Sequence, residues 1–432
     1  MFLCAGEDYC FTHKNILRDP YHEHVIHKYL PRKLTAFVPD LQDEVAVGFD
    51  EAWGTNTTEW KEVKLYESVM VMISHAVNRM IVGLPLCRND GFLSANRGFA
   101  MAISGASLLI SYTPAWLKPI FGRLFTLPGT MYYRRCAKHT IPLITERKAN
   151  FERQKQDPDF KWEPPNDFIS WTIMLAEAEN RRDEATIDMI SRRLMPIEFA
   201  SIHTSSISIA LCLLDLISSD PADGYLDAIR EEAVTALSQN QGQWTKAGLA
   251  QCHLADSALR ESMRVSNFMT RNVVRKVMPR DGITHPTEKW HAPRGTHVGF
   301  DMHNVQHDPL IYPNPESYEA FRFAPQVEAH SDGEAKNFGE TGKASDNASG
   351  AQRNTGLVTT SDIWFPFGRG KHTCPGRYLI AAEIKMFLAY MTMNYDIEPL
   401  KTRPKNLVMP NMQLPDANAT IRVRRKPAKT GS

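Results

Sequence analysis

Apolar residues recur at helical spacing over most of the chain. Leu41, Val45, Val47 and Phe49 alternate with acids across Asp40–Trp53, which suits an amphipathic helix. Leu65–Leu84 has the same texture and closes on Gly83 and Pro85, residues that stop a helix. Met131–Gln156 reads as a long polar helix that turns Leu143 and Ile144 toward a core, and the charged, proline-rich Gln154–Asn166 as a surface loop. Asp183–Ser218 reads as one long helix with Pro196 inside it, which predicts a kink or a division there. Helices continue to about Val265. Between Arg271 and Phe300, Val273, Val274, Val277 and Val298 stand among Gly and Pro turns and predict short strands. A last helix follows Cys374, and the strand Thr420–Arg424 closes the chain. The pattern is that of a mainly α fold with small β-sheets.

Two stretches are apolar enough to ask whether they span a membrane, which takes about 20 mostly apolar residues. Phe99–Trp116 carries Ser104, Gly105, Ser107, Ser111 and Pro114; Ile197–Ile217 carries Glu198, His203 and Asp215. Both read as buried helices, and Met1–Asn15 has neither signal-peptide nor anchor character. Gln326–Asp362 is rich in Ser, Gly, Asn, Lys and Glu and nearly free of large apolar residues, so a disordered surface insertion over 326–362 is expected.

Composition narrows the function. Lys+Arg is 50 against Asp+Glu 49, a net charge of +1, which argues against a general nucleic-acid binder. The seven cysteines (Cys4, Cys10, Cys87, Cys136, Cys212, Cys252, Cys374) are odd in number, scattered and without a CxxC pair. That predicts no disulfide framework and a reducing compartment. His22, His24, His27 and Lys28 crowd one helical stretch. No acid or Cys cluster accompanies them as a zinc site would need, so a solvated basic face is the expected reading.

The sharpest signal is Phe365-Pro-Phe-Gly-Arg-Gly-Lys-His-Thr-Cys-Pro-Gly-Arg377. From the chain's own frequencies, the skeleton Phe367, Gly370, Cys374, Gly376 matches a given position with a probability of ~2 × 10⁻⁶. Glycines let the backbone turn tightly and approach a flat ligand. A cysteine heading a helix over Pro375–Asn394, with Pro375 at its first position, sits where the helix dipole and free N–H groups favour a thiolate. Such a thiolate is a sound iron ligand, and its electron push favours O–O cleavage. The bland alternative is a buried cysteine in a Gly-rich turn.

This segment resembles the haem-binding loop of the cytochromes P450. The resemblance runs from about Asn15 to Arg424 in the family's order and implies one P450 domain over 1–432 with the P450 fold. It implies haem b as cofactor, with Cys374 as axial iron ligand and Phe367, Gly370, His372, Gly376 and Arg275 as haem-binding residues. His372 stands where the family often has a propionate-binding Arg. Glu261-Ser-Met-Arg264 resembles the family's ExxR element, and Arg322, in a stretch ending Arg-Phe, resembles the Arg that joins it. These three are expected to form a buried brace for the cysteine loop. His24 and Lys28 would stand where many members have Trp and Arg at a propionate.

Ala200-Ser-Ile-His-Thr-Ser-Ser206 lies mid-helix. Its hydroxyls have a plain alternative use, bonding back to the preceding turn. In the family this segment lies over the haem; Thr204 matches the Thr that guides protons to dioxygen, and His203 replaces the usual acid. The resemblance therefore implies a haem-thiolate monooxygenase with Thr204 and His203 as catalytic residues. It implies a monomer fed by NADPH–cytochrome P450 reductase at a basic side around Arg369, Lys371 and Arg377. The expected substrate is a hydrophobic small molecule, a fungal secondary metabolite such as a terpenoid, with no nucleic-acid partner. The expected place is the cytosolic face of the endoplasmic reticulum membrane, although the N-terminal anchor and first helix-and-strand region of eukaryotic members are not found in this chain. The competing readings are a peroxygenase or isomerase on the same haem, or a shortened haem protein without turnover.

Overall fold

Helices form where the apolar spacing places them, and the longest is longer than its pattern suggests. The computed structural model describes residues 9, 11, 13–114, 116–325, 356–409 and 411–427. After α1 (Asn15–Arg18), α2 runs unbroken over Tyr21–Ala52 with Pro31 and Pro39 inside it. The amphipathic segment read at Asp40–Trp53 is only its second half. Burial of a continuous stripe from Tyr21 to Phe49 outweighs the loss of backbone hydrogen bonds at the prolines. Then come β1 (Lys61–Lys64), α3 (Leu65–Ile81), α4 (Asp90–Tyr112), α5 (Lys118–Phe125), α6 (Leu127–Gln156), α7 (Phe168–Ala178) and α8 (Ile187–Ile217). Pro196 lies within α8 without dividing it. Asn89 and Asp167 cap α4 and α7 by accepting hydrogen bonds from the N–H groups of Phe92 and Ser170.

The chain falls into two compact units. The first comprises Met1–Gly54, Val69–Ser206 and Gln243–Lys246. Within it α4 packs on α5 and α6, and α2 on α7. Polar groups are buried in this core as well. Glu44, among the acids of the amphipathic segment, is wholly buried and bonded by Arg79 and Arg88. Arg193 pairs with Glu184 at 2.6 Å, and Arg147 with Asp167 at 2.7 Å, all four buried. Such pairs hold because each charge keeps several donors or acceptors in place of water.

The second unit comprises Thr55–Ser68, Ile207–Gly242 and Ala247–Ser432. It contains α9 (Tyr225–Gln239), most of α10 (Lys246–Gln251), α11 (His253–Val265), α12 (Met302–Gln306) and α13 (Arg377–Asn394), with α9, α11 and α13 packed together. Its strands are β1 with β2 (Arg271–Lys276), β3 (Ile283–Thr284), β4 (His291–Ala292), β5 (His297–Asp301), β6 (Tyr395–Ile397), β7 (Leu407–Met409), β8 (Met412–Leu414) and β9 (Thr420–Arg425). The largest sheet has the order β1-β9-β6, all antiparallel, so the final strand is central. The pairs β2-β5, β3-β4 and β7-β8 complete the small sheets.

Two expectations change, and a third, that Ile197–Ile217 is a buried helix, holds. Residues 326–355 of the expected insertion lie outside the described residues, but within 356–362 Leu357 is anchored in the core. Leu357 is fully buried, its N–H donates to Asp256 and its carbonyl accepts from the Trp364 indole. The guanidinium of Arg260 lies 4.4 Å from the Phe323 ring centroid and 4.6 Å from that of Trp364, between the residues that flank the insertion. Second, α4 is buried only on one side: Phe99, Ile103 and Ile110 face the core while Met101, Leu108, Leu109 and Tyr112 face out. Third, one helix among the described residues is apolar and long enough to cross a membrane, Ile187–Ile217, and 78% of its apolar window is buried in the protein.

Glu198 on α8 ties the stability of the core to pH. It is wholly buried, and burial pushes its carboxyl up to about 8, offset only in part by the Asn96 and Asn78 amides. A carboxyl raised from its usual value near 4.5 holds its proton in the folded state and loses it in the unfolded state. Stability from this group therefore falls as pH rises from about 4.5 to about 8, at ~1.4 kcal/mol per pH unit. Glu198→Gln should remove that slope. Urea midpoints at pH 6 and pH 8.5 are expected to show the variant gaining on the wild type by a few kcal/mol at the higher pH; a difference that does not change with pH would disprove it.

Candidate active site

The cysteine loop forms from its own local chemistry. Gly368 and Gly370 adopt φ of +74° and +70°, conformations that side chains resist. Phe365 O accepts from Gly368 N, and Phe367 O accepts from Cys374 N at 2.7 Å. The backbone of Lys371 and its neighbours makes one 3₁₀ turn between these bonds. The last helix starts at Arg377 rather than Pro375, with Gly376 as its N-cap. A residue before proline avoids the helical region, so Cys374 stands in the turn that enters the helix. A Cβ on Gly376 would sit 3.8 Å from the Cys374 sulfur, so the glycine keeps the space beside the sulfur open.

Cys374 differs from every other described cysteine. Cys87, Cys136, Cys212 and Cys252 are buried, whereas Cys374 is half-exposed. Burial pushes the thiols of Cys87, Cys136 and Cys252 up to about 12, and that of Cys212 well above its usual value. Those four stay neutral thiols. A lone accessible sulfur on an open glycine turn is the donor set a thiolate-bound haem iron needs, so the residues present fit the group.

Glu261, Arg264 and Arg322 come together as one network. Arg264 donates to both carboxylate oxygens of Glu261 at 2.8 Å, and both residues are wholly buried. Arg322 Nε adds a third bond to Glu261 at 3.0 Å. The two arginines also donate to the carbonyls of Gln306, Pro313, Pro315 and Ser317. Tyr312 lies under the Arg264 guanidinium and donates to Ile363 O, which connects the network to the residues just before the loop.

A second support was not read from the sequence. The side-chain amide of Asn272 on β2 donates to Phe365 O at 2.8 Å and to Pro366 O at 3.0 Å. No motif signals it, because the contact spans 93 residues of chain.

Of the remaining expected residues, Phe367, Gly370, His372 and Gly376 lie within the cysteine loop, and the others lie on other elements. Thr204 and His203 lie on α8 in the first unit, both half-buried. Thr204 Oγ1 donates to Ala200 O at 2.6 Å, the back-bonding weighed as its plain alternative use; its oxygen can still accept. Burial lowers the His203 pKa, so the ring is neutral at pH 7. Arg275 and His372 are exposed, and Arg275 donates to the neighbouring Val274 O. His24 and Lys28 both bind Glu179, at 2.9 and 3.2 Å, which is the use the structure gives them. His22 is buried against Arg193 with its pKa lowered to about 3, so that stretch is no uniform basic face. Among the described residues no cluster of His, Cys, Asp and Glu could hold a metal ion. Arg369 is paired with Asp362, while Lys371 stays exposed.

Comparison with known proteins agrees with this geometry. The family model for "Cytochrome P450" matches residues 12–423. The chain is 31% identical to "Cytochrome P450 monooxygenase gloP" of Glarea lozoyensis, over 96% of this chain and 74% of that protein. It is 30% identical to "Cytochrome P450 monooxygenase okaG" of Penicillium ochrochloron, over 93% and 75%. Among solved structures, the cytochrome P450DA heme domain matches with a TM-score of 0.67 at 14% identity, covering 98% of this chain and 81% of its own. The retinoic acid-bound cyanobacterial CYP120A1 matches at 0.63 and 16%, covering 93% and 78%. With its mainly helical fold and a family match over nearly its whole length, this chain belongs to the cytochrome P450 family. It is an oxidoreductase, a P450 monooxygenase built for a haem iron with cysteine ligation.

Removing Glu261 or Arg264 leaves a buried charge without its main partner, which costs ~3–5 kcal/mol, whereas removing the part-buried Arg322 takes one bond from Glu261 and costs less. Glu261→Ala, Arg264→Ala and Arg322→Ala are each expected to lose most of their haem and to unfold at lower urea. Haem per chain and the urea midpoint measure this. Normal values in all three would remove the brace from the account.

Proposed function

We propose that this chain inserts one oxygen atom from dioxygen into a hydrophobic small molecule, a fungal secondary metabolite such as a terpenoid, using haem b held by Cys374. The overall change takes a C–H bond, O2, two electrons and two protons to an alcohol and water. The thiolate-bound haem iron, when present, supplies the dioxygen activation. Cys374 supplies the axial sulfur from a single P450 domain spanning the chain. Phe367, Gly370, Gly376, His372 and Arg275 bind the haem. The Thr204 hydroxyl passes protons, with His203 beside it as a neutral ring that can accept one. Electrons come from NADPH–cytochrome P450 reductase docking near Lys371 and Arg377. The observation that carries this reading is the half-exposed Cys374 on its glycine turn, against four described cysteines whose thiols are buried and pushed up by burial.

The decisive experiment is the ferrous carbonyl spectrum. Wild type is expected to show the thiolate-specific red-shifted Soret band, and Cys374→Ser to lose it. A band that survives the substitution ends the reading. On the same preparations, Thr204→Ala is expected to keep haem and to divert NADPH electrons to peroxide, with product per NADPH falling severalfold. Undiminished coupling would take the proton role from Thr204; loss of coupling in His203→Ala alone would give it to the histidine. The peroxygenase alternative draws on His203 standing where the family has an acid. Turnover with added peroxide and none with NADPH and reductase would favour it.

We place the enzyme at a membrane surface, the cytosolic face of the endoplasmic reticulum. Support comes from the first unit, where α4, α5 and the start of α6 expose Leu109, Tyr112, Trp116, Ile120, Leu124 and Met131, with Tyr112 80% and Trp116 77% exposed. Ile120 and Leu124 share one face of α5, and Lys118 and Arg123 sit among them. Apolar faces with basic flanks suit an anionic lipid interface. Trp116 fluorescence should shift to the blue on adding phosphatidylserine vesicles, and Trp116→Ser with Ile120→Ser should weaken sedimentation with them about tenfold. Equal sedimentation of both proteins would refute this face.

A further inference from the structure

Cys374 is held in place by more than its own loop. β2 and β5 pair antiparallel, but their register breaks between Asn272 and Arg275. The extra residue is Val273, at a φ of +55°. A β-branched side chain is strained in that conformation. The opposite strand makes room for the bulge: a Cβ on Gly299 would lie 2.9 Å from Val274 Cγ2. Bulges re-aim side chains, and this one aims Asn272. Its amide nitrogen donates to the adjacent carbonyls of Phe365 and Pro366, while its oxygen accepts from Val273 N at 2.7 Å. The same strand pair grips Phe365 from its other end. Phe300, the register partner of Asn272, sets its ring against the Phe365 ring at 6.0 Å. Two residues further along, Phe367 O holds Cys374 N.

We propose that Asn272 is a positioning residue of the thiolate site, its amide clamping the Phe365 and Pro366 carbonyls so that the turn presents Cys374 at one height and angle. The inference rests on Cys374 being the iron ligand. Both donor hydrogens point at the entry of the loop, and the strained Val273 persists because this grip requires it. Alanine removes both bonds. Aspartate keeps the shape, cannot donate when ionised, and sets a negative charge against two carbonyls.

The test compares the full-length chain as wild type, Asn272→Ala and Asn272→Asp. Each haem-loaded protein is read by its ferrous carbonyl spectrum and its haem midpoint potential. Asn272→Ala is expected to fold with near-normal circular dichroism, to raise the carbonyl fraction lacking the thiolate red shift severalfold, and to convert to that form faster. Asn272→Asp is expected to go further and to lower the midpoint. A change confined to the melting temperature, with spectrum and potential unmoved in both variants, overturns the proposal. Should a variant not hold haem, Cys374 alkylation in the haem-free chain, mapped by mass spectrometry, is the second measurement. A severalfold faster reaction at Cys374 in Asn272→Ala supports the clamp, and an unchanged rate refutes it. Wild type without a red-shifted band would instead remove the ligand assignment beneath it.

Discussion

One carboxylate, Glu261, is the interaction on which the second unit depends. It is wholly removed from water and receives two bonds from Arg264 and one from Arg322. The Glu319 N–H adds a fourth. Taking these charges out of water is expensive, and their attraction alone does not recover it. What makes the arrangement stable is that the arginines spend their remaining hydrogens on carbonyls of the irregular segment between Gln306 and Ser317. That segment has almost no regular structure of its own, so its backbone acceptors need partners from elsewhere. The ion pair thereby organises a loop region that neither a helix nor a sheet could hold.

The same logic repeats at smaller scale around the cysteine loop. Its internal bonds shape the turn, yet they cannot fix where the turn sits. Position comes from outside: Asn272 on the Phe365 and Pro366 carbonyls, Tyr312 on Ile363, and Trp364 buried on Arg260. A second buried network ties the end of α8 to α11, where Asp215 accepts from Ser262, Ser266 and Arg403. Arg403 also reaches Asn406, at the start of the β7-β8 hairpin. Irregular backbone in this unit is consistently held by side chains of distant residues.

Buried acids without a cation are a different matter. Glu198 and Glu383 are both enclosed, and burial pushes each carboxyl up to about 8. Neither has an arginine to offset its desolvation, so each enters the fold as a neutral acid. Glu44 shows the contrast. Burial would raise it too, but the bonds from His75 and Arg88 win and hold its pKa below the usual value. Equal burial gives opposite ionisation because the partners differ.

The cysteine loop, the helices and the ExxR pair were legible in the sequence because each depends on residues within about ten positions of one another. Glycine at positive φ, proline after Cys374 and i,i+3 spacing are local constraints that spelling alone imposes. Helix ends were less legible: α2 absorbed two prolines and α13 began two residues late, since packing and capping decide termini. Side-chain partners were not legible at all where the contact is distant. His24 and Lys28 turned to Glu179, Glu44 is buried, Leu357 bonded to Asp256 on α11, and Asn272 met a loop 93 residues away. By itself the sequence determined the family, the local shape of the cysteine loop and most of the helices. Only the tertiary structure decided what holds the Cys374 sulfur in position, because a hydrogen bond between distant residues exists only once the chain between them has folded.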